Sequence, residues 1–244
     1  MKTITTTLFL LLVTSTARGA DRPNIILIMV DDMGRDWVSC YGAKHQTPNI
    51  DRLAQEGVRY ETAWSMPICT PTRVTLLTGQ YPFRHGWTQH YDVPRWGGAG
   101  LSWTQFTTFA RALRDSGYAT AIGGKWQIND LRTQPDALLQ HGFDQHCVWT
   151  GAEAGHPETE ERYWGGHIMT NGQRVSANYG PDTINNFLID FVKRNTDRPF
   201  FAYYPMLLTH GPHGATPQNK TDPPQDKVSL FAGNVRYMDQ LVGQ

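Results

Sequence analysis

The segment PICTPTRVTLLTG, residues 67–79, concentrates groups able to do chemistry. With Thr70 as a helix cap and Pro71 as the first helical residue, Cys69 stands immediately before a helix N-terminus. Free backbone N–H groups and the helix dipole favour anions there. One regular turn brings Arg73 to the same side and adds a fixed cation. Such a site would hold a tetrahedral oxyanion and would lower the pKa of a thiol placed in it. The residues alone leave three fates open for Cys69: anion-site chemistry, a buried structural thiol, or half of a disulfide.

Three other stretches carry candidates. In ILIMVDDMG, a strand ending in Asp31 and Asp32 would put hard oxygen ligands at the edge of a sheet, suited to a divalent cation; the plainer alternative is one capping and one solvated carboxylate. In GGKWQ, Lys125 follows a predicted strand; an exposed loop lysine is the common fate of a lone Lys, though the flanking Gly-Gly and Trp argue against it. In LLTHGPHG, His210 and His213 share a Gly-Pro loop, as cleft residues or surface histidines. His85, His90, His141 and His156 have no discriminating context, and a loop or core role is the default. Trp87, Trp96, Trp103, Trp149 and Trp164 are either stacking platforms for a sugar or core residues. Cys40 and Cys147 read as structural thiols; with three cysteines in an exported chain, at least one is unpaired or altered.

Positions 31, 69, 125 and 210 are far apart in sequence, so a scaffold must gather them. RPNIILIMVDD is a continuous apolar run bounded by Pro23 and Asp31-Asp32, the pattern of a strand buried on both faces of a parallel sheet. TPNIDRLAQEG follows as a helix, with Thr47 as N-cap, Pro48 at the first position and Gly57 past the end. SWTQFTTFARALRDSGY reads as a helix in capping-box register from Ser102 and Gln105, and YATAIGGKW as the next strand. Ile184, Phe187, Leu188, Phe191 and Val192 form a helical stripe, followed by a strand from Pro199 to Leu207. SLFAGNVRYMDQLVGQ is a final helix. The alternation predicts an α/β fold, a mostly parallel sheet with helices on both faces. The stretch from Gly142 to Gly180 has little periodicity and reads as an extended loop or insertion near the ligand end of the sheet.

Residues 1–20 have the layout of a secretory signal: Lys2, an apolar run from Leu8 to Val13, then small residues, too short to span a bilayer. An exported protein, periplasmic or secreted, is expected, with no integral membrane segment after signal cleavage. The 22 basic and 22 acidic residues balance, so charge gives no argument for nucleic acid as a partner. The remaining chain, 21–244, suits one α/β domain.

The segment CTPTRVTLLTG resembles the sulfatase family of the alkaline phosphatase superfamily. Its pattern C-x-P-x-R followed by T-G is met by Cys69, Pro71, Arg73, Thr78 and Gly79. The resemblance implies that a formylglycine-generating maturation enzyme oxidises Cys69 to formylglycine, whose hydrated aldehyde is the nucleophile. One hydroxyl attacks sulfur and the alcohol leaves; the second is deprotonated, which expels sulfate and regenerates the aldehyde. By the same resemblance Asp31, Asp32 and the modified Cys69 face a divalent cation, calcium in the first place and magnesium in the second. Lys125 contacts the sulfate, and His210 hydrogen-bonds the ester and protonates the leaving alcohol.

One position departs from the family. Many members carry His two residues after the lysine, where this chain has Gln127. An amide hydrogen-bonds but cannot exchange a proton near neutral pH, so the deprotonation needs another group or is slow. Gln127 and His213 stay as further candidate substrate contacts.

The resemblance runs from about Pro23 to the end but covers only the N-terminal portion of a typical member. The family continues with an Asp-Asn-Gly stretch that completes the metal site, another lysine and a C-terminal subdomain. The expectation is an incomplete catalytic domain, truncated before the last sheet strands and poorly active alone, of an enzyme for a small-molecule or carbohydrate sulfate ester. Two other readings stand beside it: a phosphatase or phosphonate ester hydrolase of the same superfamily, and a non-catalytic remnant that binds anions or carbohydrate.

Overall fold

The computed structural model describes residues 22–149 and 162–244. The predicted signal and His156 lie outside those residues. Among the described residues, six strands form one sheet: β1 (Ile25–Met29), β2 (Ala119–Lys125), β3 (Gln145–Trp149), β4 (His167–Thr170), β5 (Gln173–Ser176) and β6 (Phe200–Pro205). Their order is β1-β6-β2-β3-β4-β5. The first four in this order are parallel, and β4 and β5 pair antiparallel. β1 registers on β6 from Ile25 opposite Phe201 to Met29 opposite Pro205.

The runs predicted as strands are β1, β2 and β6, and every residue of β2 and β6 is buried. β1, expected to be buried on both faces, instead lies at the edge of the sheet; none of its residues is fully buried, and Ile26 is 55% exposed. Side chains alternate across a strand. Phe200, Ala202 and Tyr204 of β6 therefore join one core, and Phe201 and Tyr203 join the other.

Helices lie on both faces, as the alternation of elements predicts. On the first face pack α7 (Gly180–Arg194) and α8 (Lys227–Val242), through Ile184, Leu188 and Phe191 and through Val235, Met238 and Leu241. Each such side chain contributes about 1.5–3 kcal/mol when fully buried. On the second face, Val74 and Leu77 of α2 (Cys69–Thr78) and Ala110 of α5 (Phe109–Asp115) pack with Ile122, Phe143 and Tyr203. Shorter helices α3 (Pro82–His85), α4 (Val93–Trp96) and α6 (Ala137–Gln140) sit in the connections, and α1 (Pro48–Glu56) precedes α2.

Four further local expectations are corrected. The Ser102–Gln105 box does not open a long helix. Gln105 N–H does donate to Ser102 Oγ at 3.2 Å, but that closes only a turn. α5 starts instead at Phe109, where Thr108 accepts from Arg111 N–H. Thr47 is the N-cap position of α1, yet its side chain does not cap: Asp239 of α8 takes the Asn49 and Ile50 N–H groups, at 3.2 and 2.9 Å. A carboxylate at a helix N-terminus is favoured by the dipole.

The stretch 142–180 is not one loop. It holds β3 and the β4–β5 hairpin, whose turn residue Asn171 has φ 46° and is followed by Gly172 at φ 81°. Those strands are short and half polar, which is why their periodicity is weak. Finally, Ile68 rather than Thr70 is the N-cap of α2. Cys69 is thus the first residue of the helix and Pro71 the third. Cys40, Cys69 and Cys147 are all free thiols.

Candidate functional site

Parallel strands end on one side of a sheet, and ligand sites of open α/β folds gather at those carboxyl ends. β1 runs out at Asp31-Asp32, β2 ends in Lys125, and β6 leads to His210. The chain after β1 is sewn to the chain after β6: Asp31 N–H donates to Leu208 O at 3.2 Å, and Thr209 N–H to Asp31 O at 2.9 Å. Asp32 takes φ 56°, a left-handed conformation that Asp tolerates better than most residues. It thereby turns away from Asp31.

The cleft floor is a buried charge cluster. Lys125 Nζ donates to Asp31 Oδ2 at 2.7 Å, and Arg73 Nη2 lies 3.5 Å from Asp31 Oδ1. Arg73 Nη1 donates to the Lys125 carbonyl at 3.0 Å, which ties α2 to the end of β2. Asp31, Arg73 and Lys125 are 5, 3 and 4% exposed. Burial works to raise the Asp31 carboxyl; Arg73 and then Lys125 outweigh it and hold the carboxyl below its ordinary value. Two cations on one carboxylate leave a local surplus of positive charge, and the buried Arg73 Nε has no hydrogen-bond partner among the described residues.

The glycines before Lys125 make this cluster possible. Gly124 has φ 138°, and a Cβ there would stand 1.9 Å from the Pro205 carbonyl oxygen of β6. A Cβ on Gly123 would meet Leu188 of α7 at 2.7 Å. Only glycine lets β6 and α7 approach this closely while the strand carries Lys125 to the cleft.

At the rim, His210 Nε2 faces Asp32 Oδ2 at 3.3 Å. Arg162 Nη1 lies 2.7 Å from His210 Nδ1. The Gly211 carbonyl lies 2.6 Å from the same nitrogen, so Nδ1 faces one group that only donates and one that only accepts, while Nε2 is the nitrogen turned to Asp32. Burial, and then the charge of Lys125, hold the His210 imidazole below its usual range. The Arg162 guanidinium also stacks over Trp149, 4.5 Å from the ring centroid. Arg162 lies at the weakly periodic end of the middle stretch, so sequence reasoning had no signal for it.

Cys69 opens α2, which ends at Gly79: Gly79 takes φ 64° and its N–H closes on Thr75 O at 2.9 Å. The thiol lies 3.5 Å from His90 Nδ1, and Thr70 Oγ1 lies 3.3 Å from the same nitrogen. This departs from the default loop or core role expected of His90. His85, which bonds Thr75 Oγ1 at 3.0 Å, and His141, packed between Trp103 and Trp126, do follow that default. Gln127 is buried and turned to Asp92, Nε2 to Oδ2 at 3.4 Å. His213 packs its ring on Phe231 of α8, with centroids 4.9 Å apart.

A cavity of about 440 Å³ is lined by Asp31, Asp32, Cys69, Thr72 and Arg73 together with the exposed Trp64. Asp31, Asp32 and residue 69 thus share one space, and the two carboxylates have the oxygen chemistry a hard cation requires. Among the described residues no group of three or more His, Cys, Asp or Glu is placed to hold a metal, so the donors fit in kind and supply part of a coordination shell. Of the candidate platform tryptophans, Trp149 is buried under Arg162, Trp164 carries Lys220 3.8 Å over its ring, and Trp96 is 49% exposed beside His90.

No helix among the described residues is long and apolar enough to cross a membrane. The family model described as Sulfatase matches residues 23–244. Arylsulfatase H of Canis lupus familiaris is 45% identical over 136 residues, which cover 50% of this chain and 24% of that protein. N-acetylgalactosamine-6-sulfatase of the same organism is 32% identical over 255 residues, covering 93% of this chain and 47% of the relative. Among solved structures, Ps i-CgsB superposes with a TM-score of 0.78 at 28% identity, over 91% of this chain and 54% of that one. The chain thus spans half or less of the length of these curated relatives, and with its matched motif and fold it belongs to the sulfatase family.

Proposed function

We propose that this chain carries the nucleophile and anion-binding part of a sulfate monoester hydrolase in which Cys69 is the precursor of formylglycine. The observation that supports it best is the placement of Cys69, at the first turn of α2, in one cavity with Asp31, Asp32 and Arg73. When formed, by a maturation enzyme that supplies the oxidant, the hydrated aldehyde supplies an oxygen nucleophile that a thiol side chain lacks. Asp31 and Asp32 would hold a divalent cation, calcium before magnesium, which would add positive charge beside residue 69.

The chain's own residues do the rest. Arg73 and Lys125 form a fixed cationic floor that attracts a sulfate group and stabilises charge developing on its oxygens; being buried, they act without reorganisation. His210, with Nε2 turned toward Asp32 at the rim, is placed to donate to the ester or leaving oxygen. Gln127 and His213 have smaller parts: Gln127 braces Asp92, and His213 packs against α8. A sulfate ester of a small molecule or carbohydrate is the substrate class, in an exported protein.

The test co-expresses the full chain with a formylglycine-generating enzyme and takes the mass of the peptide containing residue 69. Release of 4-methylumbelliferone from its sulfate and phosphate esters is then compared. The expected result is conversion of Cys69 and a preference for the sulfate ester, both lost in Cys69→Ala. An unconverted Cys69, or a preference for the phosphate ester, overturns the reading.

A further inference from the structure

Gln127 stands where a proton-handling histidine is expected, and it faces away into Asp92. The side chain that reaches residue 69 comes instead from the loop between α3 and α4. His90 Nδ1 is 3.5 Å from Cys69 Sγ, where the thiol sulfur stands in for an oxygen of the oxidised and hydrated residue.

His90 is held from several sides. Thr70 Oγ1 donates to the Tyr91 carbonyl at 3.1 Å and accepts from Tyr91 N–H at 3.3 Å, which pins the backbone next to His90 to the first turn of α2. Val93 N–H donates to the Gln127 carbonyl at 3.2 Å, which pins the other end of the loop to the chain after β2. The imidazole meets the Trp96 ring edge to face, with centroids 5.0 Å apart. With the Thr70 hydrogen directed to Tyr91, Nδ1 is left to donate toward Thr70 and residue 69. A side chain fixed in this way loses little entropy when it makes one more hydrogen bond.

We propose that His90 positions residue 69: its Nδ1–H hydrogen-bonds a hydroxyl of the hydrate formed from the oxidised Cys69 and favours the hydrate over the free aldehyde. The inference rests on the reading of Cys69 as a formylglycine precursor. Hydration itself balances with water alone: the water oxygen bonds to the aldehyde carbon, and one of its protons ends on the former carbonyl oxygen. Gln127 does not make this contact. Its role is indirect, because its backbone carbonyl anchors the loop that carries His90.

The experiment uses the full chain labelled with [3-13C]cysteine and co-expressed with a formylglycine-generating enzyme, as wild type, His90→Ala and His90→Asn. Peptide mass first reads conversion at residue 69, and 13C NMR then reads the ratio of hydrate to aldehyde. His90→Ala is expected to lower that ratio several-fold. His90→Asn, whose amide can donate from near the Nδ1 position, is expected to keep it within about twofold of wild type, the size of a weakened but retained hydrogen bond. A general structural role would not produce this rescue. Should His90→Ala fail to fold, His90→Leu, which fills the space against Trp96, takes its place. A ratio unchanged in the Ala or Leu variant, or lowered equally in Asn, overturns the positioning role while conversion still supports the parent reading. Absence of conversion in the wild type overturns both.

Discussion

The floor and the rim of the cleft are built on different terms. Asp31, Arg73 and Lys125 are sealed into the floor, and their ion pairs are supported by a main-chain bond from Arg73 to Lys125. At the rim, the Asp32 and His210 side chains are 62 and 29% exposed, and their contact is a single one at 3.3 Å. Charges removed from water interact strongly and are costly to leave unpaired, whereas exposed pairs are screened and nearly interchangeable with hydration. Loss of one partner should therefore be costly in the floor and nearly neutral at the rim, where side chains stay in contact with solvent.

The comparison can be broken most severely at Gly124. Gly124→Ala puts a Cβ against the Pro205 carbonyl in a backbone conformation that L side chains rarely adopt, so the floor loses the strand that carries Lys125. We expect a loss of more than about 4 kcal/mol, read as loss of soluble folded protein. A melting temperature near that of wild type would show that β2 and β6 can separate without harm.

Next in size, Asp31→Ala leaves Arg73 and Lys125 buried without their carboxylate. Denaturant unfolding should lose about 3–5 kcal/mol. A loss below about 1 kcal/mol would mean that the floor is wetter than its burial implies.

The same contrast between closed and open settings extends to the histidines and predicts a pH dependence. Burial pushes His141 down to about 4 from its ordinary 6.5, and His146 likewise. Below 6.5 the unfolded chain binds protons that the folded chain refuses. Stability should therefore fall as pH drops from about 6.5 to about 4 and then cease to change on their account. For His141 the loss is on the order of a few kcal/mol at the low end. Thermal melts at pH 7 and pH 5 check it: His141→Asn should show a shallower dependence than wild type, and equal slopes would sink the assignment.

The smallest effect is expected at the rim. Asp32→Asn removes one exposed partner of His210 and should change unfolding free energy by no more than about 0.5 kcal/mol. A loss comparable to that of Asp31→Ala would erase the distinction between rim and floor.

Much of this was legible in the residues. The runs of β1 and β6 could be read because they are continuously apolar, and the stripe of α7 because its period matches the helix; that β1 lies at the sheet edge with Ile26 exposed was decided by the topology. The four stretches holding Asp31-Asp32, Cys69, Lys125 and His210 could be read because each sits at an element boundary, where side chains leave the core. The middle stretch was less legible: β4 and β5 have four residues each and β5 is largely exposed, so no period develops. The start of α2 was missed by two residues because Ile68, with no capping side chain, holds the cap position.

Local chemistry, written in order along the chain, determined the motif around Cys69, the cation and carboxylate types, the Gly-Gly before Lys125 and the α/β alternation. Only the tertiary structure decided which groups touch. Asp31 takes Lys125 and Arg73 while Asp32, its neighbour, turns out to His210. His90 rather than Gln127 reaches residue 69, and Arg162 meets Nδ1 of His210. Those choices depend on how three strand ends, one helix and one loop pack in space, at distances set by glycines and backbone hydrogen bonds between residues remote in sequence.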